Sequence, residues 1–166
     1  MQKFLPALAV IALVSTGAMA QDKASQKFIT AAIEGNYAEV KMGELAQKNG
    51  QSSEVKAFGK MLSDDHGAAV QKSQEAAKTI GVSAVPAGPN AKQKADYDKM
   101  AKLNGAAFDK TFAEHMVKDH KKDIAEYQKA SKKQDAAGQY AQQTLPTLQK
   151  HLETAQSVQK QVTAKR

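Results

Sequence analysis

The chain has 166 residues, no cysteine, no tryptophan, and a formal net charge of +7 from 24 Lys+Arg against 17 Asp+Glu. Without cysteine there is neither a disulfide framework nor thiol chemistry, and scarce aromatics beside abundant Ala, Lys and Gln make a helix-forming composition. The basic excess argues for non-specific attraction to anionic surfaces, not for a fold.

Residues 1–20 read as a secretory leader. Lys3 opens a short positive region, LPALAVIALV is apolar but too short to span a bilayer, and Ala18-Met19-Ala20 is a small-x-small cleavage site. Cleavage before Gln21 leaves 21–166 as one domain, with 23 Lys+Arg against 17 Asp+Glu and a net charge of +6. No later stretch is apolar for long enough to be a transmembrane helix. The expected location is the periplasm, with peripheral attachment to the outer membrane as an extension of it.

A first helix is expected over 26–48, with Phe28, Ile29, Ala32, Gly43 and Ala46 on one side and Lys27, Glu34, Lys41 and Lys48 on the other. Glu39 falls on the apolar side, where a carboxylate needs a partner. Asn49-Gly50 should end this helix as a left-handed cap. Ser52 or Ser53 then caps a second helix running to about Ile80 and stopped by Gly81. Its ridge steps by four through Phe58, Leu62, His66 and Val70, which puts a histidine among inward apolar residues. Asp64 faces outward and Asp65 sits on the shoulder.

Residues 81–90, with Pro86 and Pro89, cannot be helical. Asn90 can cap a short helix over 91–103, which Asn104-Gly105 ends. This connection can reach roughly 50 Å, the height of a bundle, and a long, partly helical crossover between the second and third long helices is a ferritin-like feature. The third long helix, 106–131, repeats the ridge as Phe112, Met116, His120 and Ile124, with Asp119 and Asp123 on the same side and His115 at its edge. Asp135 caps the last helix, 136–162. Pro146 should kink it, with Thr144 able to cap a restart. His151 lies in the stripe of Leu148, Leu152, Ala155, Val158 and Val162. The tail 164–166 should fray.

Every long helix thus sends an ionisable group inward near its middle. Glu39, His66, His120, Asp123 and His151 form a candidate ligand set for a divalent transition metal (iron, manganese, zinc or copper). Asp65, Asp119 and His115 are supporting or alternate groups. The competing arrangement is a metal-free polar core layer in which the same histidines and carboxylates bond one another and fix helix register. No Glu-x-x-His occurs in the chain, so the ligand pattern of di-metal carboxylate bundles is missing. Met42, Met61, Met100 and Met116 are scattered and read as core filler. There is no G-x-S-x-G, no glycine-rich phosphate loop and no aromatic-interleaved basic motif, so nucleophilic catalysis and nucleic-acid binding find no support. Lysine-rich outer faces make an anionic envelope surface (lipid, lipopolysaccharide or wall polymer) the expected partner of a protein that acts without metal.

Three segments together carry a family likeness: AAIEGNYAEVKMGELAQKNGQSSEVKAFGKMLSDDH, GAAFDKTFAEHMVKDHKKDIAEYQKA and AQQTLPTLQKHLETAQ. Over about 28–158 the chain resembles a bacterial family of exported ferritin-like proteins of unknown activity, often labelled outer membrane proteins. The resemblance rests on the order Asp-Asp-His, Asp-His and Leu-Pro-x-Leu-x-x-His. It implies an all-α, ferritin-like four-helix bundle. The label itself finds no alternating ten-residue strands of a barrel here.

Overall fold

Polar residues ahead of each apolar run start the helices, in a computed structural model that describes residues 22–164. The expected leader lies outside the described residues, as do residues 165 and 166 of the tail. Five helices form: α1 (Lys23–Asn49), α2 (Ser53–Thr79), α3 (Ala91–Met100), α4 (Gly105–Ala130) and α5 (Ala136–Ala164). No strand occurs among the described residues; Gly50 and Gly105 make one isolated bridge. Ser52 is the cap of α2, its hydroxyl accepting from the Val55 N–H. Asn90 begins α3 in a reciprocal capping box with Gln93, and Asp135 accepts from the Gly138 N–H at the start of α5.

The four long helices pair as α1 with α2, α2 with α5, α5 with α4, and α4 with α1. Residues 50–52 and 131–135 make the two short turns. Gly50, which ends α1, touches Gly105, which begins α4, and Lys133 ahead of α5 pairs with Asp22 ahead of α1 at 2.6 Å. These contacts fix the directions. α2 and α4 run one way, α1 and α5 the other, and residues 80–104 travel the height of the bundle. Asn49 donates to the Leu103 carbonyl at 2.8 Å and Asn90 donates to Glu34 at 2.9 Å, tying this crossover to α1.

α1 and α2 are the most extensively packed pair, because their backbones meet at two glycines. A Cβ on Gly43 would stand 2.4 Å from the Gly59 carbonyl oxygen, and one on Gly59 would stand 2.6 Å from that of Gly43. Only glycine permits so close a crossing.

Two local expectations are corrected. Gly50 is extended (φ −63°, ψ 147°), not left-handed; glycine is needed there because a Cβ would meet the Ala46 carbonyl at 2.6 Å and the Val55 side chain at 2.8 Å. Asp109 completes that turn, accepting from the Gln51 and Ser52 N–H groups at 2.8 Å each. Pro146 lies within one continuous helix, and Thr144 does not cap a restart, because its hydroxyl donates to the Tyr140 carbonyl one turn back. Gly81, by contrast, is left-handed (φ 74°) as a helix stop should be.

The apolar core falls into two clusters. One gathers Phe58, Leu62, Phe108, Phe112, Met116 and Val158; the other gathers Ile29, Ile33, Ala77, Tyr127, Tyr140 and Leu148. A polar layer at mid-height, with Asn36, Glu39, His66, Ser73, His120 and His151 all buried, accompanies them.

Candidate metal centre

His66, His120 and His151 come from the middles of α2, α4 and α5, and one ring nitrogen from each lies within 4.8 Å of the others. All three rings are buried, His151 completely. Helical periodicity turns each inward at the same level, so three mid-helix positions distant in sequence meet at one point.

The hydrogen bonds fix which nitrogen of each ring carries the proton. His120 Nδ1 stands 3.0 Å from the Met116 carbonyl oxygen; a carbonyl only accepts, so Nδ1 donates and Nε2 is bare. His151 Nε2 stands 2.9 Å from Asp65 Oδ2, so Nε2–H donates to the carboxylate and Nδ1 is bare. His66 Nδ1 stands 2.9 Å from Asn36 Oδ1. The Asn36 amide nitrogen already donates to the Tyr140 hydroxyl at 2.8 Å and to Ser73 Oγ at 3.3 Å, so its oxygen accepts from His66. His66 Nε2 is then bare, and it has no hydrogen-bond partner.

Each ring therefore donates outward and leaves one lone pair unclaimed. His120 Nε2 and His151 Nδ1 are 3.4 Å apart, with no proton between them. Two nitrogens bound to a tetrahedral metal at about 2.0–2.1 Å stand about 3.3 Å from each other. The donations to a carboxylate, a backbone carbonyl and an amide oxygen are of the kind that orients imidazoles in known metal sites.

Electrostatics keep the rings neutral. Burial, and then the neighbouring His120 and His151, hold His66 well below its usual range. Burial and His151 lower His120 to about 4. Burial also lowers His151, against the opposing pull of Asp65. Neutral imidazole is the ligating form.

The converging trio contains no carboxylate of the expected set. Glu39, Asp119 and Asp123 line a cleft of about 690 Å³ between α1, α3 and α4, whose wall includes His66 and Asn36. Glu39 is 4 % exposed, and its Oε2 has no hydrogen-bond partner. Burial, then the charges of Asp119 and Asp123, push its carboxyl well above the usual range. Burial and Asp119 raise Asp123 to about 7. His115 also lines this cleft. Of the supporting groups, Asp65 bonds a site histidine directly, whereas Asp64 turns outward to Lys60 at 2.6 Å.

Asn36 is the site residue that sequence reasoning missed. It sits in the buried α1 series Ile29, Ala32, Ile33, Asn36, Glu39 and Gly43, so a polar residue at helical spacing inside an apolar stripe was the available signal.

Fold and site together define an all-helical bundle with a cluster of neutral imidazoles at its core. The chain belongs to the family described as Domain of unknown function (DUF4142), whose model matches residues 12–158. No curated protein matches the chain, and no solved structure does.

Proposed function

We propose that this protein binds a divalent transition metal through His66 Nε2, His120 Nε2 and His151 Nδ1. The observation that carries this reading is that one nitrogen from each of three buried rings lies within 4.8 Å of the others, while each ring commits one N–H to a partner outside the trio. A water molecule offers two protons to three lone pairs and needs acceptors suitably placed for both. A cation serves all three at once, and buried polar groups without partners are otherwise costly. Three imidazoles with no carboxylate among them suit zinc or copper(II) and disfavour manganese. Three protein ligands leave a fourth position for water or a small ligand.

A single long crossover between the second and third long helices supports reading the bundle as ferritin-like, with a mononuclear histidine site where di-metal relatives of that architecture carry Glu-x-x-His. The leader pattern at 1–20 supports export to the periplasm. The test is elemental analysis of the exported, full-length product purified without chelators, beside a His66→Ala/His120→Ala double variant. About one zinc or copper per chain, absent from a double variant that keeps its helical circular dichroism, is the expected result. A metal-free protein whose melting temperature ignores added zinc and copper would refute it.

A further inference from the structure

A buried site needs an entrance, and two sides of this one are closed. The core cluster of Phe58, Phe112 and Met116 is packed beside the histidines, with the Phe58 ring 6.4 Å from that of His151. On the α2–α5 side Asp65 occupies the approach, and the nitrogen it meets is a proton-bearing one, not a lone pair. The cleft between α1, α3 and α4 is different. α1 and α4 make the least extensive contact among the four neighbouring pairs of long helices. An added Cβ on Gly35, in the cleft wall, would find no atom within 4 Å.

Along that cleft, acidic side chains grade from solvent to core. Glu126 is 51 % exposed and Asp123 26 %, while Glu39 and His66 are buried. Glu126 and Asp123 share Lys122, at 3.5 and 3.8 Å, whereas the Glu39 carboxyl meets only Asp119 and its buried Oε2 has no hydrogen-bond partner. A buried carboxyl oxygen without a partner is costly. It makes sense where a cation passes and supplies the missing interaction.

We infer that this cleft is the route by which the metal reaches the three histidines, with Glu39 as the transient ligand that hands it from the acidic cleft to His66. The inference rests on the metal-binding reading. Asp119 and Asp123 draw the cation inward, and Glu39 gives up its carboxyl proton to water in the cleft as it coordinates the cation, whose outer waters have been shed. Because α1 carries both Glu39 and Asn36, which holds His66 at 2.9 Å, the relay and the first receiving imidazole share one support.

The test is stopped-flow uptake of zinc from a chromophoric chelator by the full exported chain stripped of metal. Glu39→Gln keeps the side chain's shape, Asp123→Asn removes a charge further out, and Glu114→Gln on the outer face of α4 is the control. Charged clefts raise on-rates by about 10–1000-fold. Glu39→Gln should slow uptake at least about tenfold and slow release equally, with one zinc per chain and an unchanged dissociation constant. Asp123→Asn should slow uptake less and flatten its dependence on salt, and Glu114→Gln should do neither. Uptake at the wild-type rate in both Glu39→Gln and Asp123→Asn would overturn the route while leaving the histidine site standing. Loss of stoichiometry or affinity in Glu39→Gln would overturn it in favour of Glu39 as a permanent ligand. Failure of the unaltered protein to bind either zinc or copper would overturn both the route and the site.

Discussion

Asp65 offers the most direct way to weigh the site without touching a ligand. It is the acceptor for His151 Nε2–H at 2.9 Å, and that bond holds the ring in the tautomer that leaves Nδ1 free for metal. In Asp65→Ala the buried N–H has no acceptor, so the proton can move to Nδ1, where it blocks the site. Loss of such a supporting acceptor lowers metal affinity by about 10–100-fold, which is about 1.4–2.8 kcal/mol. The Asp65 side chain is 42 % exposed while His151 is fully buried. Solvent screening of the carboxylate places the effect toward the lower end, about tenfold to thirtyfold. Asp65→Asn, which keeps an oxygen acceptor but loses the charge, should fall between Asp65→Ala and the unaltered protein. The assay is competition with a chromophoric zinc chelator at pH 7.5. Asp64→Asn is the internal control, since that side chain is 61 % exposed and paired with Lys60 on the outer face; it should change the dissociation constant less than about twofold. Equal affinities for Asp65→Ala and Asp64→Asn would refute the tautomer argument.

Three further outcomes are expected. For metal-free protein, His120 has a folded pKa of about 4 against an ordinary 6.5, so between those values the unfolded chain holds more protons; the stability gap over a His120→Leu variant should be level above pH 6.5 and shrink by up to about 3 kcal/mol as pH falls to 4. Asp123, raised to about 7, acts with the opposite sign and strengthens the fold as pH falls from 7 toward 4, so urea unfolding must compare the two proteins at each pH, and a gap independent of pH would count against a neutral His120. Gly43→Ala should destabilise by at least about 2 kcal/mol, because its Cβ would lie 2.4 Å from the Gly59 carbonyl oxygen, while Gly35→Ala in the same helix, with open space around it, should stabilise by about 0.5–1 kcal/mol; denaturant melts giving the two the same sign would refute the close crossing. Asp109→Ala should cost about 1–3 kcal/mol by orphaning the Gln51 and Ser52 N–H groups, and calorimetry showing no loss would mean that those groups find water instead.

Helical periodicity and capping chemistry are local properties, so the chain itself declares them. The four long helices, the stops at Gly81 and Asn104-Gly105, the caps at Ser52, Asn90 and Asp135, and the inward turn of His66, His120 and His151 all follow from 3.6-residue spacing and short polar side chains. Which inward groups meet is another matter, because it depends on the rotation of each helix and on the order in which the helices pack. Glu39 on α1 and Asp123 on α4 line the cleft between those helices and are not among the three groups that converge. The two-glycine crossing of α1 and α2 brings Asn36 within 2.9 Å of His66, a partnership of residues 30 positions apart that no periodicity announces. The proton positions are equally tertiary. A carbonyl on α4, a carboxylate on α2 and an amide on α1 decide which nitrogen of each ring is left bare, and the sequence turns the imidazoles inward without saying how each ring is rotated about its own axis.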